Sequence, residues 1–214
     1  MSSFYRLSIV MFAFLLILSC KGKKSLVTND MYAAAIVEHQ KNYMEEFVKD
    51  ERAPLSEEDL KDVHFFPPNE SFKCECTFEL TPKEKPFELS TYSGITKPFR
   101  KYGIATCLIN KEETQVHLYT NLRTIAMPGL KDLLFLPFKD HTNGEETYGG
   151  GRYIDLKTGD IQEGKITIDF NKCYNPWCAY SDGYNCPIPP LENHFDMAVL
   201  AGEKMWTGTK KKAK

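Results

Sequence analysis

The chain has 214 residues, of which 26% are charged, seven cysteines and a formal net charge of −2. With the basic termini set aside (Arg6, Lys21, Lys23, Lys24, Lys210, Lys211, Lys212 and Lys214), 19 bases face 28 acids between Met31 and Trp206. So acidic a body excludes general nucleic-acid binding, which needs a basic face against phosphate, and the length suits one sizeable domain rather than two.

Residues 1–19 have the form of an export signal, with Arg6 in a polar head, an apolar stretch from Leu7 to Leu18 broken by Ser8, then Ser19. The stretch is short for a bilayer span. Ile17-Leu18-Ser19-Cys20 resembles the lipobox of bacterial lipoproteins. That resemblance implies cleavage before Cys20, a lipid on its thiol, and a domain held outside the cytoplasm at the bacterial cell envelope. Several acyl chains would give a stable anchor to the membrane. Residues 20–30 then read as a tether, with Lys21, Lys23 and Lys24 at the lipid surface.

Six further cysteines remain, and an exported chain permits disulfides. A bridge between Cys178 and Cys186 would pin the loop between them. Cys74 and Cys76, two apart on a strand, share a face and must seek other partners. The spacings of Cys173, Cys178 and Cys186 match no paired zinc pattern, so no metal is assigned.

From residue 31 to about 49, Ile36, Val37, Tyr43, Met44, Phe47 and Val48 recur at helical spacing. Ser56 followed by Glu57, Glu58 and Asp59 reads as an N-cap opening a short helix to about Val63. Strands follow at residues 72–80, 87–91, 103–109, 115–121, 133–138, 151–156, 165–170 and 195–200, with a hairpin turn at 111–113. The fold class is mainly β (α+β): an antiparallel barrel or sandwich of about eight strands with one or two N-terminal helices. One domain spans residues 31–206, and the basic tail 207–214 is expected to fray.

Residues 138–193 concentrate glycine, proline, asparagine and aromatic residues, as ordered loops at one end of a β-scaffold do. The strings FKDHTNGEETYGGGRYIDL, DFNKCYNPWCAY and NCPIPPLENHF, followed by Ala201-Gly202-Glu203, resemble the signature blocks of the bacterial and archaeal domain-of-unknown-function family 1684. That resemblance spans about residues 31–203 and carries no activity, substrate or cofactor to transfer. Trp177 stands where the family pattern has proline, a departure that widens or caps its loop.

Within these loops, Gly150 and Gly151 allow close backbone approach, and Arg152 offers a planar fork of donors to an anion or carbonyl. Alternatively, the glycines form a bulge and Arg152 neutralises a buried acid such as Asp155 or Asp169. Asp169 and Asn171 bracket a strand end and suit a network holding the next loop. Tyr148, Tyr153, Tyr174 and Tyr180 supply rings that either stack on a ligand or fill the core. Glu146, Asn175, Glu192 and Asn193 complete the candidate ligand-binding set.

No activated nucleophile is recognisable, so catalytic residues and cofactor stay unassigned. The reading favoured is a membrane-tethered domain binding a small polar or anionic ligand. The alternatives are a hydrolase using carboxylates and a divalent cation in the same cleft, and a structural envelope lipoprotein.

Overall fold

The computed structural model describes residues 21–212, with side chains from Asp30 onward. The export signal and Cys20 lie outside the described residues. A helix, α1 (Lys21–Lys49), precedes seven strands: β1 (Lys73–Leu80), β2 (Phe87–Ser90), β3 (Thr96–Ile109), β4 (Glu112–Asn121), β5 (Leu133–Phe138), β6 (Arg152–Lys157) and β7 (Lys165–Asp169). The strands form one antiparallel sheet in the order β6-β5-β4-β3-β1-β7, with β2 added to β3. The sheet curls into a half-barrel rather than closing, so the expectation of a mainly β antiparallel fold holds without a complete barrel.

The alternation along β1 sets the inner face. Phe72, Cys74 and Cys76 are buried while Lys73, Glu75 and Thr77 face out, although Leu80 at the far end is 55% exposed. Cys107 on β3 lies opposite Cys76, and the two form a disulfide across the strands. Beside them pack Val116, Leu118, Leu134, Leu136, Ile154, Ile166 and Ile168, making the main core. Burying each such side chain stabilises the fold by about 1.5–3 kcal/mol. Cys74 and Cys173 remain buried free thiols, which burial pushes up to about 11.

β3 is longer than expected. It bulges between Lys101 and Gly103, where a Cβ on Gly103 would come within 2.6 Å of the Glu79 carbonyl oxygen. The hairpin to β4 turns on Asn110 and Lys111, both at positive φ, rather than on residues 111–113. The second helix is a 3-10 turn, Glu57–Asp62, whose Asp59 carboxylate accepts from the backbone and hydroxyl of Ser56 at 2.7 Å each.

Residues 21–30, expected as a tether, lie in α1. Two further expectations are corrected. The tail docks rather than frays over residues 207–212: Lys211 N donates to Tyr180 O at 2.8 Å, and Lys210 pairs with Asp182 at 2.8 Å. The eighth strand does not form, although Phe195, Met197, Val199 and Ala201 alternate inward as a strand would. The Arg152 guanidinium takes the Val199, Ala201 and Glu203 carbonyls that a neighbouring strand would otherwise have paired.

Candidate functional site

β5 and β6 present alternate residues to opposite faces of the sheet. Leu134, Leu136 and Ile154 enter the main core, while Leu133, Phe135 and Tyr153 line a pocket on the other face. From β3, Lys97 and Phe99 continue this wall, and Asn121, Thr124 and Ile125 form a rim at and after the end of β4. The loop from Tyr174 to Pro187 roofs it. Tyr153 and Tyr174 exchange both backbone hydrogen bonds, at 2.9 and 3.0 Å, which fixes where the roof begins. Pro176 leads into a 3-10 turn, Trp177–Ala179, and the Cys178–Cys186 disulfide closes the loop as expected. Its far end is held by Tyr92 N to Cys186 O and Ile188 N to Ser90 O.

The enclosed volume is about 540 Å³, within the range of roughly 300–1,000 Å³ used for small ligands. The walls are rings in edge contact: Phe135 against Tyr153 at 4.8 Å, Trp177 against Tyr184 at 5.1 Å, and Tyr153 against Tyr174 at 6.0 Å. All three tyrosine hydroxyls are engaged elsewhere. Tyr153 donates to Pro187 O, Tyr174 to Asp155 Oδ2 at 2.9 Å, and Tyr184 to Arg52 O at 2.6 Å. The tyrosines therefore offer the pocket ring carbon, not hydroxyl.

Of the thirteen candidate ligand-binding residues, Tyr153 and Tyr174 line this pocket. Trp177, at the position that departs from the family pattern, is part of its wall. Arg152 lies beside Tyr153 in sequence but projects the opposite way. It is fully buried, and it binds Asp140 and three carbonyls of the 199–203 segment. Its partner acid is Asp140, not Asp155 or Asp169. Gly151, at φ +88°, makes room for this turn, since a Cβ there would meet Phe138 O at 2.5 Å. The Gly150 carbonyl accepts from Tyr92 Oη at 2.9 Å, and Tyr148 is half-buried at the edge of the aromatic cluster.

Other candidates belong to separate networks. Asp169 accepts from Tyr32 Oη at 2.9 Å and from Asn171 N at 3.1 Å, while Asn171 also joins the backbone of Asn69. This ties α1 to the end of β7. Asn193 clamps both backbone groups of His117 and accepts nothing from solvent, being fully buried. Glu192 receives Tyr119 Oη at 2.5 Å and Lys101 Nζ at 2.8 Å in a different cleft. Glu146 is exposed, and its carbonyl accepts from Met205 N.

Asn175 and Tyr180 converge on Glu203, which in the sequence stands out only as the end of the Ala201-Gly202-Glu203 block. Asn175 N and Tyr43 Oη donate to Oε2 at 2.9 and 3.2 Å, and Tyr180 Oη donates to Oε1. Complete burial without a cationic side chain among these partners pushes the Glu203 carboxyl up to about 7. The carboxylates of Glu146, Asp169, Glu192 and Glu203 thus belong to different places, and among the described residues no three His, Cys, Asp or Glu side chains are grouped to hold a metal.

The model of a protein family of unknown function, DUF1684, matches residues 58–204. The chain belongs to that family. The match covers all seven strands, the pocket lining and the Arg152 network, and leaves outside it α1, whose Tyr43 contacts Glu203. A similar solved structure is the solution NMR structure of the uncharacterized protein from gene locus rrnAC0354 of Haloarcula marismortui, with TM-score 0.60 and 29% identity over 86% of this chain and 96% of that one. No curated protein matches the chain.

Proposed function

We propose that this DUF1684 protein is a membrane-tethered module that holds a small organic ligand in the pocket between the outer sheet face and the 174–187 loop. The observation that carries this reading is the pocket itself. It combines a ligand-sized volume with ring walls whose hydroxyls are already satisfied by protein groups. Such a wall favours the flat or apolar body of a ligand over water. The walls are also restrained, by β-strands on one side and a disulfide-closed, proline-flanked loop on the other, so little ordering is required on binding.

The tether rests on Ile17-Leu18-Ser19-Cys20, which fits lipid attachment at Cys20 and a location at the bacterial cell envelope. Two disulfides are in keeping with an oxidising compartment. No helix among the described residues is long and apolar enough to cross a membrane. Dispersal of the carboxylates over separate networks weighs against the hydrolase alternative.

Fluorescence titration with N-phenyl-1-naphthylamine, a neutral apolar probe, tests the pocket. Saturable binding is expected for the wild type and its loss for Thr124→Trp, which fills the mouth, at an unchanged melting temperature. Equal binding by both proteins would remove the ligand site from this pocket.

A further inference from the structure

The ligand-binding reading leaves the charge of the ligand open, and the distribution of polar groups around the pocket supplies it. The ring hydroxyls are committed, and the Asn121 side-chain oxygen is occupied by the amides of Arg123 and Thr124 at 3.0 and 3.2 Å. What remains at this end is cationic. Lys97 lines the pocket and is partly buried, and Arg123 follows the lining residue Asn121 by two positions. Neither forms an ion pair with a carboxylate among the described residues, whereas Arg52, on the opposite rim over Trp177, is paired with Asp50.

Burial first, and the nearby Arg123 guanidinium second, lower the Lys97 ammonium from its ordinary value. Lys97 is partly desolvated in the lining and Arg123 stands exposed just outside it, so in a body with an excess of acids elsewhere this end of the pocket is one that an anion would stabilise. An aromatic wall and a cationic end together specify more than either does alone.

We propose that the pocket selects a small aromatic anion, its ring against Phe135, Tyr153 and Trp177 and its carboxylate or comparable acid group facing Lys97 and Arg123. This rests on the ligand-binding reading above and adds the chemical class. Lys97 supplies a point charge and Arg123 a fork able to meet a planar acid group with two hydrogen bonds. A free small molecule is favoured over a lipid acyl chain because aromatic rings outnumber the aliphatic Ile125 and Leu133 in the lining.

Calorimetric titration at low salt with naphthalene-1-carboxylate and its neutral isostere naphthalene-1-carboxamide tests the assignment. The carboxylate is expected to bind about tenfold more tightly than the amide, as a charge-assisted contact requires. Lys97→Gln and Arg123→Gln should each close most of that gap by weakening carboxylate binding more than amide binding, with the melting temperature reporting that the variants are folded. Equal affinity of the two probes for the wild type would overturn the anionic assignment and leave the pocket reading standing. Failure of both probes to bind would overturn the two together. Amide affinity lost in parallel with carboxylate affinity in Lys97→Gln would make Lys97 a packing residue and also overturn the assignment.

Discussion

Arg152 Nη2 donates to Asp140 Oδ2 at 2.8 Å, with both side chains completely shielded from water. The same guanidinium holds the carbonyls of Val199, Ala201 and Glu203, so one side chain fastens the last core segment to the start of β6. Arg152→Ala would leave a buried carboxylate uncompensated, which costs about 3–5 kcal/mol. Urea denaturation should show a loss of that size. A variant with wild-type stability and weakened ligand affinity would instead return Arg152 to the binding site.

Glu203 makes stability depend on pH. Free glutamate titrates near 4.5, whereas burial holds Glu203 at about 7. Between those values the folded chain keeps a proton that the unfolded chain releases. The stabilising contribution is therefore complete below about 4.5 and is lost as pH rises to about 7, by on the order of 3 kcal/mol. Glu203→Gln cannot titrate, so its urea midpoint should fall less steeply across that window. Parallel wild-type and variant profiles would show that Glu203 is ionised throughout.

The two disulfides should separate by function. Chain-entropy arguments give about 2–3 kcal/mol for the short Cys178–Cys186 loop and nearer 4 for Cys76–Cys107, whose cysteines are 8 and 31 residues apart. Cys107→Ser is expected to lower the melting temperature more, and Cys186→Ser to weaken N-phenyl-1-naphthylamine binding more. Peptide mapping without reduction should find these two bridges, with Cys74 and Cys173 free.

For the anchor, Cys20→Ser should release the protein from the membrane fraction of a bacterial host. Unchanged sedimentation with membranes would rule out lipid attachment at that residue.

Much of the scaffold was legible because one buried face imposes period-two alternation, as on β1, and because Cys178 and Cys186 bracket a loop only eight residues apart. The Cys76–Cys107 bridge was not, since it depends on the β1–β3 register, which local pattern does not encode. The false eighth strand has the alternation of a strand, but Arg152, 47 residues earlier, takes the carbonyl of Val199. Of the candidate loop residues, Tyr153 and Tyr174 line the pocket. Lys97 was missed because the strand was expected to begin only at Gly103, which left Lys97 in a connection; the longer β3 and the folded roof make it part of a pocket.

The proposed ligand site lies under Trp177, and the chain has two tryptophans, which makes a site-resolved test simple. Trp177 lines the pocket, whereas Trp206 does not, and the Phe47 and Tyr180 rings stand between the two. In nitrogen-15-labelled protein titrated with naphthalene-1-carboxylate, the Trp177 indole resonance should shift saturably while that of Trp206 stays fixed. A Trp177 resonance that never moves, or one that moves only together with Trp206, would contradict a ligand site at this place.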